Sequence, residues 1–252
     1  MSATHVAPAG RRSYALTVTA AALALAGTAF LETPAPAVSA GTVSAGKPRG
    51  HDVSSHQGKV DWRRARAKGA SFVYVKATEG TSYKNPHFVQ QYDGSRAAGL
   101  LRGAYHFARA DTSSGRAQAA YFVRNGGQWR RDGVTLPPAV DLESVHGKPC
   151  HGLSRARMRG WIRSFSAEVL RRTDRYPTIY TSARWWQRCT GGSRQFGANH
   201  PLWLADWGAE AGPLPAGWRY RTIWQYANKG RLPGDQNVFD GSMKQLRRYA
   251  RG

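Results

Sequence analysis

The triplet Asp141-Leu142-Glu143 sets two carboxylates at the end of an apolar run that begins at Pro138. On a strand, residues i and i+2 face the same side, roughly 6.5 Å apart along the chain. Both acids then look onto one face while Leu142 packs on the other. Two carboxylates brought together in a partly desolvated site cannot both ionise freely. One keeps its proton near neutral pH and can hand it to a leaving oxygen. A solvated pair of acids at a strand end is the plain alternative. In a chain with only 15 acidic residues, two at the end of an apolar strand favour the site.

Further acids fall at the ends of strand-like runs. Asp52 opens a first strand in His51-Asp-Val-Ser-Ser-His-Gln57, Asp206 follows Leu202-Trp-Leu-Ala205, and Asp235 sits in Gly234-Asp-Gln-Asn-Val-Phe-Asp240, after the Ile223–Tyr226 strand. Taken singly, each reads as a turn or cap residue; together they would ring one mouth. Tyr105, Tyr180, Trp207 and Tyr226 stand beside them. Aromatic faces stack on sugar rings, so carboxylates at the centre of such a groove point to a carbohydrate site, with core packing an equal alternative for each ring. His51, His56 and His106 show no metal-ligand spacing, and the chain has no HExxH, CxxC or GxSxG. The expectation is therefore an enzyme with no metal or cofactor.

These groups need a frame to bring them together. Ser71–Ala77, Leu101–Ala108, Pro138–Glu143, Pro177–Thr181, Pro201–Asp206 and Tyr220–Tyr226 read as strands. Between the earlier ones lie helical stretches, Asp61–Lys68, Pro86–Ala98, Ser113–Arg124 and Ser154–Arg172. Asp61, Ser113 and Ser154 stand at N-cap positions, and Gly69 and Gly99 at helix ends. Strands alternating with helices of this length predict βαβ units around a parallel sheet. After Pro201 the strands follow one another through Gly- and Pro-rich loops with little helix. The pattern predicts an α/β fold, a TIM-like (β/α) barrel that is regular in its first half and degenerate in its second. In such a barrel the strands' C-terminal ends form the functional rim. An open doubly wound sheet is disfavoured because no GxGxxG or GxxxxGK[ST] follows any strand.

The 252 residues divide unevenly. Arg11 and Arg12, an apolar run from Ala15 to Leu31, and the small residues Val38-Ser39-Ala40 have the order of a secretory signal peptide. Residues 1–40 are thus expected to be a signal peptide, 41–50 a disordered leader, and 51–252 one catalytic barrel domain with no membrane span in the mature form. Two cysteines, Cys150 and Cys189, in an oxidising compartment suggest one disulfide. It would close a loop of about 40 residues and contribute about 3–4 kcal/mol in the chain-entropy picture. The formal charge of +22 falls only to +21 on removal of the first 40 residues, whose charged side chains are Arg11, Arg12 and Glu32. Such an excess favours a polyanionic partner. For a secreted protein that means anionic wall polymers rather than nucleic acid, whose recognition modules are missing from the sequence.

Eight stretches in order resemble glycoside hydrolase family 25, the Chalaropsis-type lysozymes, over about Arg49 to Arg251. They are Asp52–Gln57, Phe72–Gly80, Gly103–Phe107, Asp141–Glu143, Ile179–Ser182, Leu202–Ala205, Ile223–Tyr226 and Asp235–Phe239. The resemblance implies hydrolysis of the β-1,4 bond between N-acetylmuramic acid and N-acetylglucosamine in peptidoglycan glycan strands, on a modified TIM-like (β/α) barrel with antiparallel strands in its second half; the mature protein is expected to be a secreted monomer. It implies that Glu143 is the general acid, with Asp52, Asp141 and Asp235 as supporting carboxylates. Tyr105 and Tyr180 match the family's active-site aromatics. The pattern departs at Gly234, where the family usually has an apolar residue, and at Trp207, which is more often Tyr. Two routes stay open: a carboxylate nucleophile, or attack by the substrate's own N-acetyl group with Asp141 as helper. The second is favoured because Asp141 shares a strand face with Glu143.

Overall fold

Inward and outward residues alternate along every long strand, and that alternation builds the molecule. A computed structural model describes residues 46–145 and 147–252. The signal peptide, and the leader as far as Ser44 and Ala45, lie outside the described residues. The strands are β1 (Arg49–Val53), β2 (Ala70–Glu79), β3 (Tyr83–Lys84), β4 (Leu101–Phe107), β5 (Ala139–Asp141), β6 (Thr178–Thr181), β7 (Leu202–Ala205), β8 (Ile223–Ala227) and β9 (Asp235–Phe239). The helices are α1 (Trp62–Ala67), α2 (Phe88–Ala97), α3 (Gly115–Arg124), α4 (Arg155–Thr173), α5 (Ala183–Thr190) and α6 (Met243–Arg251).

Eight strands close into a barrel in the order β1-β2-β4-β5-β6-β7-β8-β9, with β9 returning to β1; β3 is a short hairpin partner of β2. Neighbours from β1 through β8 pair in parallel, while β9 is antiparallel to both β8 and β1. The expected (β/α) barrel is therefore present, and its antiparallel pairing in the second half falls on the closing strand. β1 begins at Arg49 rather than at His51. Gly50 pairs with both β2 and β9, and a side chain at Gly50 would strike the Phe72 ring at 2.4 Å. The end of the expected leader is thus part of the barrel.

Inward positions carry Phe72, Tyr74, Leu101, Tyr105, Ala139, Tyr180, Trp203, Ile223 and Phe239, which form one buried cluster with Leu246 and Ala250 of α6. Outward positions such as Val140, Leu142, Ile179, Leu202 and Leu204 pack under α3, α4 and α5. Val73 and Val75 do the same under α1 and α2. α6 closes the end of the barrel where the parallel strands start. There Tyr249 bonds Thr178, and its hydroxyl lies 3.4 Å from that of Tyr74. The opposite end, at the strands' C-termini, is the end left open.

Local signals explain the helix starts. Asp61 and Ser154 accept from the amides of Arg64 and Arg157, as N-caps should. The α3 cap is Ser114, which accepts from Ala117, one residue later than expected. Ser113 is occupied instead by Gln118 Nε2, which donates to its hydroxyl at 2.9 Å. Gly69 and Gly99 end their helices with φ of 94° and 81°, a region that side chains disfavour. Cys150 and Cys189 are joined, with Cα atoms 5.2 Å apart.

Candidate active site

The open end of the barrel holds a cavity of about 210 Å³ lined by Asp52, Asp141, Glu143 and Asp235 together with Tyr105 and Tyr180. The strand register brings these residues together. Asp52 of β1 is the direct partner of Asp235 of β9, and Asp141 of β5 is the partner of Tyr180 of β6. Around the ring β5 lies opposite the β9–β1 seam, so the mouth carries two acid pairs facing one another. Leu142, between the two acids of its pair, is fully buried on the outer side beneath the helices. The i, i+2 reading of the triplet holds.

Amide side chains brace one of these pairs. Gln225 Nε2 donates to Asp52 Oδ2 at 2.9 Å and to Asp235 Oδ2 at 3.3 Å. Asn237 Nδ2 donates to the same Asp52 oxygen at 2.7 Å. The other end of each amide is also used. Gln225 Oε1 accepts from Tyr180 Oη at 3.0 Å and from Trp207 Nε1 at 2.9 Å, and Asn237 Oδ1 accepts from Trp203 Nε1 at 2.8 Å. These bonds fix both amide orientations, leaving their N–H groups for the carboxylates.

The electrostatics separate the four acids. Burial pushes Asp52 up to about 7, and Asp235 beside it adds to the rise, while the two amides oppose it. Asp141 is raised well above the usual carboxylate range, first by burial and then by Glu143. Its Oδ1 is buried without a hydrogen-bond partner, where an ionised oxygen would be costly. Asp235 is raised by burial. Glu143 is exposed at the mouth but still raised by partial desolvation; Lys76 opposes the rise and Asp235 adds to it. Among the described residues, Lys76 is the one lysine or arginine lining the cavity, held 2.8 Å from Glu79 and 4.4 Å above the Phe107 ring. The arrangement raises the proton affinity of all four acids, and Glu143 and Asp235 are the two that are not fully buried.

Behind Glu143 its backbone is anchored. His151 Nδ1 accepts the Ala110 amide at 3.1 Å, so Nε2 carries the proton and donates to the Glu143 carbonyl at 2.7 Å. Beside Asp235, Gly234 has φ of +75°, and a Cβ there would meet the Asp52 carbonyl at 2.0 Å. The departure from the family pattern at this position is thus a tight crossing of β1 by the turn into β9.

Not every expected residue reaches the cavity. Trp207 stands at its edge, 56% exposed and tied to Gln225. Asp206 and Tyr226 do not line it. Asp206 Oδ2 accepts the Gly212 amide at 2.6 Å and braces a loop, and Tyr226 leans on Trp224 with ring centroids 5.7 Å apart. Conversely, Lys76, Trp203, Gln225 and Asn237 had no assigned part. Their signal was polar or bulky character at inward positions of strands, visible only once the register is known. Among the described residues, no group of His, Cys, Asp and Glu is arranged to hold a metal ion.

Opposed carboxylates and aromatic rings at the rim of a (β/α) barrel define a glycoside hydrolase. The chain belongs to the glycosyl hydrolases family 25, which it matches over residues 51–235. It is 48% identical over 231 residues to the N,O-diacetylmuramidase of Arthroderma benhamiae, covering 91% of this chain and 97% of that protein. With lysozyme M1 of Streptomyces globisporus it shares 47% identity over 204 residues, 79% of this chain and 69% of that one. The solved muramidase from Acremonium alcalophilum superimposes with a TM-score of 0.80 at 46% identity, over 82% of this chain and 100% of its own. The lysozyme from Streptomyces coelicolor gives the same TM-score at 45% identity, over 82% of this chain and 99% of its own.

Proposed function

We propose that Glu143 is the general acid of a muramidase that cuts the β-1,4 bond between N-acetylmuramic acid and N-acetylglucosamine. The chain is a family 25 lysozyme-type glycoside hydrolase acting on peptidoglycan glycan strands. One observation carries the choice of acid. Of the four acidic residues around the cavity, Glu143 is as a whole residue the most exposed, and desolvation of its carboxyl raises its proton affinity. It can therefore give up a proton and recover one from water between turnovers.

In the proposed sequence Glu143 protonates the glycosidic oxygen as the C1–O bond breaks. The oxygen of the substrate's 2-acetamido group attacks C1 and forms a cyclic oxazolinium. Asp141 accepts the acetamido N–H, and the positive charge developing there favours its ionised form. Water then adds to C1 while Glu143, now a carboxylate, takes its proton, restoring the enzyme with retained configuration. Asp52 and Asp235, held by Gln225 and Asn237, line the opposite wall and bind sugar hydroxyls. Tyr105, Tyr180 and Trp207 offer the aromatic faces. The protein works outside the cell as a monomer, and its basic surface holds it to the anionic wall.

Glu143→Gln tests the acid. With a natural glycan the turnover is expected to fall roughly 10²–10⁴-fold. With an aryl glycoside whose leaving group departs without a proton, most of that loss should disappear. Equal losses on both substrates would remove Glu143 from the role. Trapping a sugar covalently on any aspartate would overturn the acetamido route.

A further inference from the structure

The flank of the barrel near its closed end carries a second charged cavity, remote from the carboxylates. It measures about 410 Å³ and is lined by Arg96 of α2, Arg102 of β4, Arg124 of α3 and Arg130, with Asp93 as its one carboxylate. Arg102 is its base. It follows inward-facing Leu101 and so points out of the barrel, where it is only 6% exposed. Its guanidinium lies 4.4 Å from the Tyr92 ring centroid, in the geometry of a cation–π contact. One Nη donates weakly to Thr135 Oγ1 at 3.5 Å, and the buried Nε has no hydrogen-bond partner.

None of the four arginines is ion-paired among the described residues. The nearby Asp132 is already committed, accepting from the amides of Val134 and Thr135 and from the Thr135 hydroxyl at 2.7–2.9 Å. The Nε is shut off from solvent, so Arg102 can meet a ligand in the pocket only through its Nη groups. Guanidinium forks match the oxygens of phosphate two at a time. Four arginines against Asp93 and the neighbouring Asp132 leave an excess of two positive charges, more than one carboxylate ligand would balance. A phosphate monoester, with up to two negative charges and three free oxygens, answers it with one group, and a phosphodiester chain, with one charge and two free oxygens per unit, answers it with two successive units.

We infer that this pocket binds phosphoryl groups, carried either by a small phosphate ester or by a phosphodiester polymer of the cell wall. Arg102 and Phe107, which lines the catalytic cavity, are five residues apart on β4, roughly 16 Å along the strand. The molecule can then grip a phosphorylated polymer on its flank while its mouth stays open to a glycan strand. Only the wall as the source of the ligand rests on the muramidase reading; affinity for phosphate does not.

Titration calorimetry of the purified protein at constant ionic strength, set with chloride, tests this. The ligands are inorganic phosphate, glycerol phosphate and poly(glycerol phosphate), with acetate as competitor. Saturable phosphate binding is expected, weakened at least tenfold in the exposed pair Arg96→Gln/Arg124→Gln and further in Arg102→Gln. Turnover of soluble glycan oligomers should be unchanged in the exposed pair, which also reports that it is folded. Tighter binding of the polymer than of glycerol phosphate assigns the site to the wall polymer; equal binding per phosphate assigns it to a small ester. Absence of saturable binding, equal competition by acetate, or full affinity in the exposed pair would each overturn the inference. Should Arg102→Gln fail to fold, the exposed pair decides alone.

Discussion

Asp52 must hold any negative charge next to Asp235, in a place where water cannot screen it. Its carboxyl is held at about 7 instead of 3.8. Between those values the folded protein keeps a proton that the unfolded chain has released. Stability contributed at this site is therefore full below about pH 4 and lost as pH rises through about 7. Asp52→Asn keeps an oxygen to accept from Gln225 and Asn237 but removes the ionisation. The variant is expected to be more stable than the parent near pH 8, by up to about 4 kcal/mol, and equal to it near pH 4. Denaturant melts at both pH values read the difference; a gap independent of pH would contradict it. Activity should fall in the same variant, since the carboxylate lies in the mouth. The buried histidines act with the opposite sign. Burial lowers His51, His106 and His200 to about 4, so the stability they contribute above pH 6.5 is lost on acidification.

At the next scale, the segment between β5 and α4 holds Glu143 from behind. Cys150 is joined to Cys189 of α5, Trp185 Nε1 donates to the Pro149 carbonyl at 2.7 Å, and His151 holds the Glu143 carbonyl. Cys150→Ala/Cys189→Ala is expected to lower unfolding free energy by about 4 kcal/mol and to reduce turnover by freeing Glu143. An unchanged urea midpoint would contradict this. The strands from Ser71 to Tyr226 were legible because both of their faces are apolar and turn residues bound them. β9 is not legible as a strand, because its inward face at the mouth is polar: Asp235 and Asn237 bond to Gln225 and Asp52 instead of packing in the core. α6 is hidden for a different reason. Only Leu246 and Ala250 are buried on it, one turn apart, too few to show a helical period. The acids of the site were legible from their positions at strand ends. Proximity to a strand end does not decide which way a residue faces, which is why Asp206 and Tyr226 fall away from the cavity. The parts of Gln225 and Asn237 depend on pairing across β8 and β9, which spacing along the chain does not encode.

For the whole molecule, α6 closes one end of the barrel and the acids ring the other, so a polymer can approach from the open side without crossing the core. No helix among the described residues is long and apolar enough to span a membrane. The excess positive charge of the chain favours residence on an anionic matrix, and the attraction weakens as salt screens it. Chemistry at the mouth and the proposed retention by the surface are separable, and cleavage of short, soluble glycan oligomers isolates the first. The most direct measurement digests purified peptidoglycan, reduces the new ends with borohydride and identifies the reduced sugar, with Glu143→Gln in parallel. Muramitol in the parent digest, and little of it with the variant, is the expected result. Glucosaminitol, new amines without new reducing ends, or muramitol at an undiminished rate from the variant would contradict it.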